Sequence, residues 1–239
     1  FEQHSAAWVA SGWQLRVDAA GALAMQRQMS VRSTPSNQPS SAVQSEAVRL
    51  ELFTHALENG AREMGTLLQR TALSTNVKER LDFSCALLDS EGRLVVNAPH
   101  IPVHLGALGV CVRAVVNALD LCPGDTAITN HPGYGGSHLP DITLITPVHT
   151  DEGILLGYAA SRAHHAEIGG IRPGSMPPSA TRLAEEGVVI PPQLLVRAGT
   201  PQWDNLKRLL ESGPHPSRSP QDNLADLEAA LAANHRGRL

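Results

Sequence analysis

The sequence predicts an α+β fold in which amphipathic helices pack on a hairpin-rich mixed sheet. Three pairs of short strands are joined by turn sequences, so the strands arrive as hairpins and not as βαβ units. Apolar residues recur at helical spacing in four other segments. With 239 residues, 42% of them hydrophobic, the chain can bury the core of one large domain or two small ones.

The first part of the chain is predicted to be a hairpin followed by a linker. Apolar and polar residues alternate over residues 13–17, a small-residue turn follows, and residues 23–25 return as a second strand. Residues 30–45 are rich in Ser and Pro, which is typical of a linker. A long amphipathic helix over residues 46–72 is then expected, with Ser45 as a suitable N-cap.

The middle of the chain is predicted to hold a second hairpin, a helix and a strand. Residues 83–88 and 94–96 flank the turn sequence Asp-Ser-Glu-Gly. The apolar spacing of residues 107–121 predicts a helix, which Pro123 and the glycine after it terminate. A short strand over residues 126–129 leads into a glycine-rich stretch.

The last predicted hairpin is followed by loops and two helices. Residues 142–149 alternate strongly, and residues 154–163 return as a buried strand of small residues. Residues 166–192 are rich in Gly and Pro and are expected to be mainly loop. Amphipathic helices are predicted over residues 203–211 and 223–234.

Composition narrows the range of partners and compartments. The net charge is −4 and the only lysines are Lys78 and Lys207, so no Lys-rich patch is present to neutralise nucleic acid. No apolar run reaches the roughly 20 residues that cross a bilayer, so no membrane partner is expected. The three cysteines, Cys85, Cys111 and Cys122, suit neither a disulfide framework nor a zinc knuckle, which favours a cytoplasmic protein.

Histidines are concentrated in one part of the chain. Of the 11 histidines, seven lie between His100 and His165. His138 and Asp141 are three residues apart in a Gly-Gly-Ser-His-Leu-Pro-Asp segment that enters a predicted strand. Glycines let the backbone fold closely around a bound group, and an imidazole with a carboxylate is a ligand set that suits a divalent metal.

The third hairpin brings further histidines to the same place. In an antiparallel pair around its turn, opposing residue numbers sum to about 303, give or take two, so residue 138 faces His165 and residue 141 faces Arg162. Alternation puts His164 on the face of Arg162 and therefore of Asp141. His164 is thus favoured as the third ligand and His165 as an acid/base or supporting group, although the register leaves the choice between them open.

Several other residues have both a functional and a structural interpretation. His104 and Glu167 are candidates for moving protons, together with His165; alternatively, His100 and His104 belong to a rigid loop that caps the following helix, and Glu167 is a solvated acid. His149 lies at the turn end of the hairpin and is expected to be structural. The sequence contains no P-loop, no G-x-S-x-G motif and no cysteine with a neighbouring histidine.

Six segments together resemble the hydantoinase B/oxoprolinase family in order and spacing. They are LQRTA (68–72), KERLDFSCA (78–86), NAPHIPVHLG (97–106), GGSHLPD (135–141), HHAEIGG (164–170) and PGSMPP (173–178). The resemblance covers residues 46–239, which we therefore interpret as the N-terminal part of a hydantoinase B/oxoprolinase domain. Residues 1–29 resemble the C-terminal strands of the hydantoinase A half, which precedes the B half in fused members, and residues 30–45 link the two. The chain is expected to be a fragment of a longer polypeptide.

The resemblance implies ATP-dependent hydrolysis of the lactam C–N bond of 5-oxo-L-proline to L-glutamate. ATP and Mg²⁺ would be bound by the hydantoinase A-like half, the main partner implied, and the substrate would be a small cyclic amide. It also implies that the positions of His138, Asp141 and one of His164 or His165 hold a divalent ion, either Mn, Zn or Fe. A homo-oligomer is expected, and the fragment alone is expected to be inactive.

Two departures from the family pattern and three alternatives accompany this interpretation. The family usually has Asn-Asp-Pro where this chain has His131 in the middle position, and it has Asp where this chain has Glu167. An N-substituted hydantoinase or an ATP-dependent ketone carboxylase would share the metal site and differ in the substrate pocket. The third alternative is not an enzyme but a non-catalytic assembly module whose histidines are remnants of a former site.

Overall fold

The chain forms two compact units. The computed structural model describes residues 13–17, 23–27, 46–98 and 101–238. The first unit comprises residues 1–44 and the second Ser45–Leu239. In the first unit, strand β1 (Trp13–Val17) pairs antiparallel with β2 (Leu23–Arg27), as the alternation predicts. The linker expected at residues 30–45 lies outside the described residues.

The second unit contains an antiparallel sheet of seven strands with helices on both faces. Its elements are α1 (Glu46–Thr71), α2 (Thr75–Lys78), β3 (Phe83–Asp89), β4 (Leu94–Asn97), α3 (Pro102–Ala118), β5 (Thr126–Thr129), β6 (Asp141–His149), β7 (Leu155–His164), α4 (Leu183–Glu186), β8 (Gln193–Arg197), β9 (Thr200–Pro201), α5 (Trp203–Leu210) and α6 (Pro220–Arg238). The strand order is β4-β3-β7-β6-β5-β8-β9, and each of these neighbouring pairs is antiparallel. The predicted α+β class is confirmed, and the described strands form an antiparallel sheet where a mixed one was expected. In the described part of the chain, no helix combines the length and apolarity needed to cross a membrane.

The central strands are apolar on both faces because both faces are covered. Successive strand residues point to opposite sides of a sheet. Cys85 and Leu144 belong to a core shared with α1 and α6, whereas the next residues along, Ala86 and Ile145, belong to a second core shared with α3. The sheet is therefore the middle layer of three, which accounts for the nearly continuous burial of β6.

Helix α1 buries only the second half of its predicted apolar stripe. Met64 and Leu68 are fully buried in the core with α6 and the sheet. The first half of the stripe continues at the same helical spacing, but its side chains are exposed: Leu50, Phe53 and Leu57. The spacing thus predicted the helix correctly, while the extent of the buried contact depends on where the sheet and α6 lie.

Other boundaries differ from the prediction for identifiable reasons. Helix α3 begins at Pro102 and not at residue 107, because proline is well suited to the first turn, where no intrahelical partner exists for its missing N–H. His104 therefore lies in the first turn of a helix and not in a preceding loop. The short elements α2, β8 and β9 were not predicted, since pieces of two to five residues carry too little periodicity.

Asn130 ties together the loops around the end of β5, and its loss should be costly. Its fully buried Nδ2 donates to the carbonyls of Leu139 (2.8 Å) and Val188 (2.9 Å), while Oδ1 accepts from Ile190 N (2.7 Å). Asn130→Ala leaves three buried backbone groups without partners, so we expect the free energy of unfolding to fall by about 3 kcal/mol. Urea unfolding measures this change.

Asn97 provides a matched control for that experiment. Within the described ranges, this half-buried side chain makes one hydrogen bond, from Nδ2 to the carbonyl of the next residue (2.9 Å). Water can replace that bond, so Asn97→Ala should cost less than about 1 kcal/mol. Equal losses in Asn97→Ala and Asn130→Ala would show that the buried amide does not hold these loops.

Candidate metal centre

The hairpin of β6 and β7 brings three ligand-type side chains together at one end. Asp141, the first residue of β6, pairs directly with His164, the last residue of β7. His138 lies three residues before Asp141 on the preceding loop. The pairing differs by two residues from the expected partner of Asp141, residue 162, but a shift of two preserves the face. His164 therefore lies on the same face as Asp141, as the alternation predicts.

The donor atoms of this cluster lie close enough to share one ion. Nδ1 of His164 is 2.7 Å from Oδ1 of Asp141, and Nδ1 of His138 is 3.0 Å from its Oδ2. One ligand atom from each of the three residues lies within 4.8 Å of the others. The side chain of Asp141 is fully buried, whereas that of His164 is 19% and that of His138 47% exposed. The cluster is thus anchored in the fold and opens on the His138 side.

This donor set fits a divalent transition metal. Two imidazoles and one carboxylate match the ligand types of Zn²⁺ and of the 2-His-1-carboxylate iron centres. The carboxylate is buried among histidines and has no Lys or Arg ion-pair partner in the described part of the chain. A cation at this point would place the buried negative charge in direct contact with a positive one.

Two further residues border the cluster. Nε2 of His104 lies 3.5 Å from Oδ1 of Asp141 and 3.8 Å from Oδ1 of Asp82. The His104 ring is buried, and its Nδ1 has no hydrogen-bond partner within the described residues. The Asp82 side chain is 32% exposed, and its backbone carbonyl accepts a bond from His164 N (2.9 Å). Sequence reasoning placed Asp82 in a family-like segment but gave it no role.

The charges within the cluster reinforce one another. Burial on its own would raise the pKa of Asp141, but hydrogen bonds and charge from His104 and His164 hold it well below its usual range. Burial likewise opposes the positive form of His164, yet the adjacent Asp141 raises the pKa of that imidazole overall. Asp141 therefore remains an anion at neutral pH, as a metal ligand requires.

His165 lies away from the cluster, towards α6. It is fully buried, and its Nδ1 lies 3.3 Å from Nδ2 of Asn223. Burial lowers the pKa of His165 to about 4, although the charge of Asp226 opposes this shift. The ring is therefore neutral at neutral pH and lies against α6 through Asn223.

Glu167 is also placed apart from the cluster. Its two carboxylate oxygens accept bonds from Arg218 Nη1 (2.8 Å), Arg218 N (2.9 Å), Ser217 Oγ (2.9 Å) and Gly169 N (2.6 Å). Burial raises the pKa of Glu167, but these bonds together lower it below the usual value. This carboxylate therefore forms an ion pair with Arg218, in the segment before α6. It is not the solvated loop acid of the alternative interpretation.

The remaining histidines of the region have local roles or fall outside the described residues. His100 is among the residues that are not described. Nδ1 of His131 accepts a bond from Gly133 N (3.0 Å) and so caps the short 3₁₀ turn Pro132–Tyr134. The imidazole that replaces the family's aspartate can thus perform the capping role of a carboxylate. His149 lies at the far end of β6, opposite Leu155.

The domain is thus an α+β fold with a His/His/Asp cluster at the end of its central hairpin. A model of the hydantoinase B/oxoprolinase family matches residues 46–239. The chain belongs to this family.

Similar proteins agree with that assignment and extend well beyond this chain. It is 51% identical over 198 residues to 5-oxoprolinase of Saccharomyces cerevisiae, a match covering 80% of this chain and 15% of the yeast protein. It is 50% identical over 202 residues to 5-oxoprolinase 1 of Arabidopsis thaliana, covering 80% of this chain and 16% of the plant protein. The chain therefore spans only about one sixth of the length of these relatives.

Two solved structures share the fold. The ATP-dependent caprolactamase of Pseudomonas jessenii superposes with a TM-score of 0.71 and 29% identity, over 82% of this chain and 33% of that one. Nucleotide-free acetone carboxylase superposes with a TM-score of 0.72 and 19% identity, over 81% of this chain and 25% of that one. At that identity the carboxylase is informative about the fold alone.

Proposed function

We propose that this chain supplies the metal-site half of an enzyme that uses ATP to hydrolyse the lactam C–N bond of 5-oxo-L-proline, giving L-glutamate. The convergence of His138, Asp141 and His164 within 4.8 Å carries the proposal. Support for the substrate comes from the 51% identity to yeast 5-oxoprolinase. Similarity to a caprolactamase, whose name denotes another cyclic amide, supports lactam chemistry more generally.

In this proposal the three clustered residues hold one divalent ion, Mn, Zn or Fe. When bound, such an ion acts as a Lewis acid that polarises a carbonyl or activates water. Asp141 contributes the negative charge, and its buried carboxylate orients His164 and His138 through its two oxygens. The exposed side of His138 is where a small substrate would approach.

Proton transfer is assigned to the side of the cluster that carries His104. Its Nε2 faces the carboxylates of both Asp141 (3.5 Å) and Asp82 (3.8 Å), so a small movement would let it exchange a proton with either one. Asp82 is the more exposed of the two carboxylates and can exchange that proton with solvent. We assign His165 and Glu167 to support of the segment that follows β7, because their polar atoms bond to residues in or just before α6.

The remaining parts of the enzyme are proposed to lie outside this domain. The sequence has no P-loop and no Lys between residues 79 and 206, so ATP and Mg²⁺ are assigned to a hydantoinase A-like half. Residues 1–29 would be the end of that half and residues 30–45 the connection to it. We propose that the whole protein is a cytoplasmic homo-oligomer; the free thiols of the three cysteines accord with a reducing compartment.

Metal analysis and a substrate panel on the full-length protein test this proposal. We expect one divalent ion per chain, and ATP consumption that depends on 5-oxo-L-proline and yields glutamate. Consumption driven by a hydantoin would indicate an N-substituted hydantoinase, and consumption driven by acetone with bicarbonate a ketone carboxylase. A folded full-length protein without any bound ion would favour the assembly module.

A further inference from the structure

Arg162 is a fully buried cation that has no ion-pair partner in the described part of the chain. It lies on β7, two residues before His164, and is 0% exposed. No Asp or Glu oxygen lies within ion-pair distance of its guanidinium among the described residues. Moving such a charge out of water costs free energy, and that cost is offset only if hydrogen bonds satisfy its donors.

The guanidinium is instead held by neutral oxygen atoms in a fork. Its Nε donates to Thr143 Oγ1 (2.8 Å), Nη1 to Ser137 Oγ (3.1 Å) and Nη2 to the carbonyl of Gly135 (2.9 Å). Thr143 is the cross-strand partner of Arg162. The guanidinium therefore bonds to the sheet through Nε and to the loop that leads to His138 through Nη1 and Nη2.

This fork lies immediately behind the metal-type cluster. The pair Thr143 and Arg162 follows the pair Asp141 and His164 on the same face of the hairpin. The two ligands on the hairpin are thus fixed by the sheet itself. His138 is the exception, because it lies on the loop and its described polar contacts go to Asp141 alone.

The loop before His138 has backbone bonds of its own, from Gly135 N to the carbonyl of Pro132 (3.1 Å) and from Gly136 N to that of His131 (3.3 Å), but residues 135–137 carry no large side chain. Gly135 has φ +80°, and a Cβ there would lie 2.7 Å from the backbone nitrogen of Cys111 on α3. A Cβ on Gly136 would lie 2.5 Å from the carbonyl oxygen of Asn130. Close backbone packing thus excludes side chains at both positions, and the bonds that join this loop to the sheet come from the side chain of Arg162.

We propose that Arg162 is a positioning residue of the metal centre, which holds residues 135–137 so that His138 stays in reach of Asp141 and His164. The inference rests on the proposed function in one respect, namely that the cluster binds a divalent ion. The planar fork explains why arginine is needed. A lysine ammonium is a point charge that cannot span the hydroxyl of Thr143 and the two acceptors of the loop at once.

The test is the Zn²⁺ affinity of the chelator-stripped full-length protein, titrated against a chromophoric competitor. Arg162→Lys keeps the charge and loses the fork, so we expect Zn²⁺ to bind about 10- to 100-fold more weakly. Circular dichroism and the Tm establish that the variant is folded at the temperature of the titration. Arg197→Lys, an exposed change on β8, is the matched control and should bind Zn²⁺ like the wild type.

Ser137→Ala keeps the inference testable should Arg162→Lys fail to fold. It removes one bond of the fork from the loop side, and Zn²⁺ affinity should fall by about 5-fold. Adding Ser137→Ala to Arg162→Lys should weaken binding no further, because both changes disrupt the same contact.

The outcomes separate this inference from the proposed function. Wild-type Zn²⁺ affinity in folded Arg162→Lys, or in Ser137→Ala where Arg162→Lys is unfolded, would overturn the positioning role and leave the metal centre intact. A wild-type protein that binds no Zn²⁺ at this cluster would overturn the metal centre itself, and the positioning role with it.

Discussion

The His138→Ala variant of the full-length protein should lose its divalent ion and form glutamate from 5-oxo-L-proline at least about 100-fold more slowly than the wild type. His138 is one of three ligands, and Asp141 and His164 alone leave the ion incompletely held. Nucleotide affinity should stay within about twofold, because ATP is assigned to a different half of the protein. Metal analysis, a glutamate assay and nucleotide titration measure the three quantities on one preparation.

His149→Ala is the matched control for this variant. It removes an imidazole from the other end of the same strand, β6, next to the turn and far along the hairpin from Asp141. Metal content and glutamate formation should therefore match the wild type. Full activity in His138→Ala, or equal losses in the two variants, would contradict the assignment of the metal centre to this end of the hairpin.

The cluster could be predicted from sequence because a hairpin has a simple register. Once the turn after β6 is recognised, residues on the two strands are paired by arithmetic, and an error of two residues leaves every side chain on its face. His138, Asp141 and His164 meet for that reason, although more than twenty residues separate the last from the others. The same alternation turned His165 away from Asp141.

Contacts between distant segments could not be predicted in this way. His104 reaches Asp141 because α3 begins at Pro102 and packs on the sheet, and Asp82 lies just before β3, which pairs with β7. No local spacing relates these residues to the hairpin. Likewise, Glu167 looks free in sequence, yet its partner Arg218 lies 51 residues further along the chain.

Nucleotide chemistry and lactam opening should both be absent from the 239-residue chain on its own. The match to the 5-oxoprolinases of yeast and Arabidopsis covers only 15–16% of the length of those proteins. Within this chain no P-loop is present, and the cluster at Asp141 offers ligands for one ion.

The isolated chain should therefore release neither phosphate from ATP nor glutamate from 5-oxo-L-proline above the buffer rate, whereas the full-length protein should do both in a coupled way. An unstrained amide resists water, and a metal alone does not convert its oxygen into the leaving group that coupling to ATP provides. Parallel phosphate and glutamate assays on the two proteins, each with a measured metal content, decide the matter. Glutamate formation by the isolated chain would mean that His138, Asp141 and His164 suffice for hydrolysis, and ATP would then have to serve a step other than activation of the lactam.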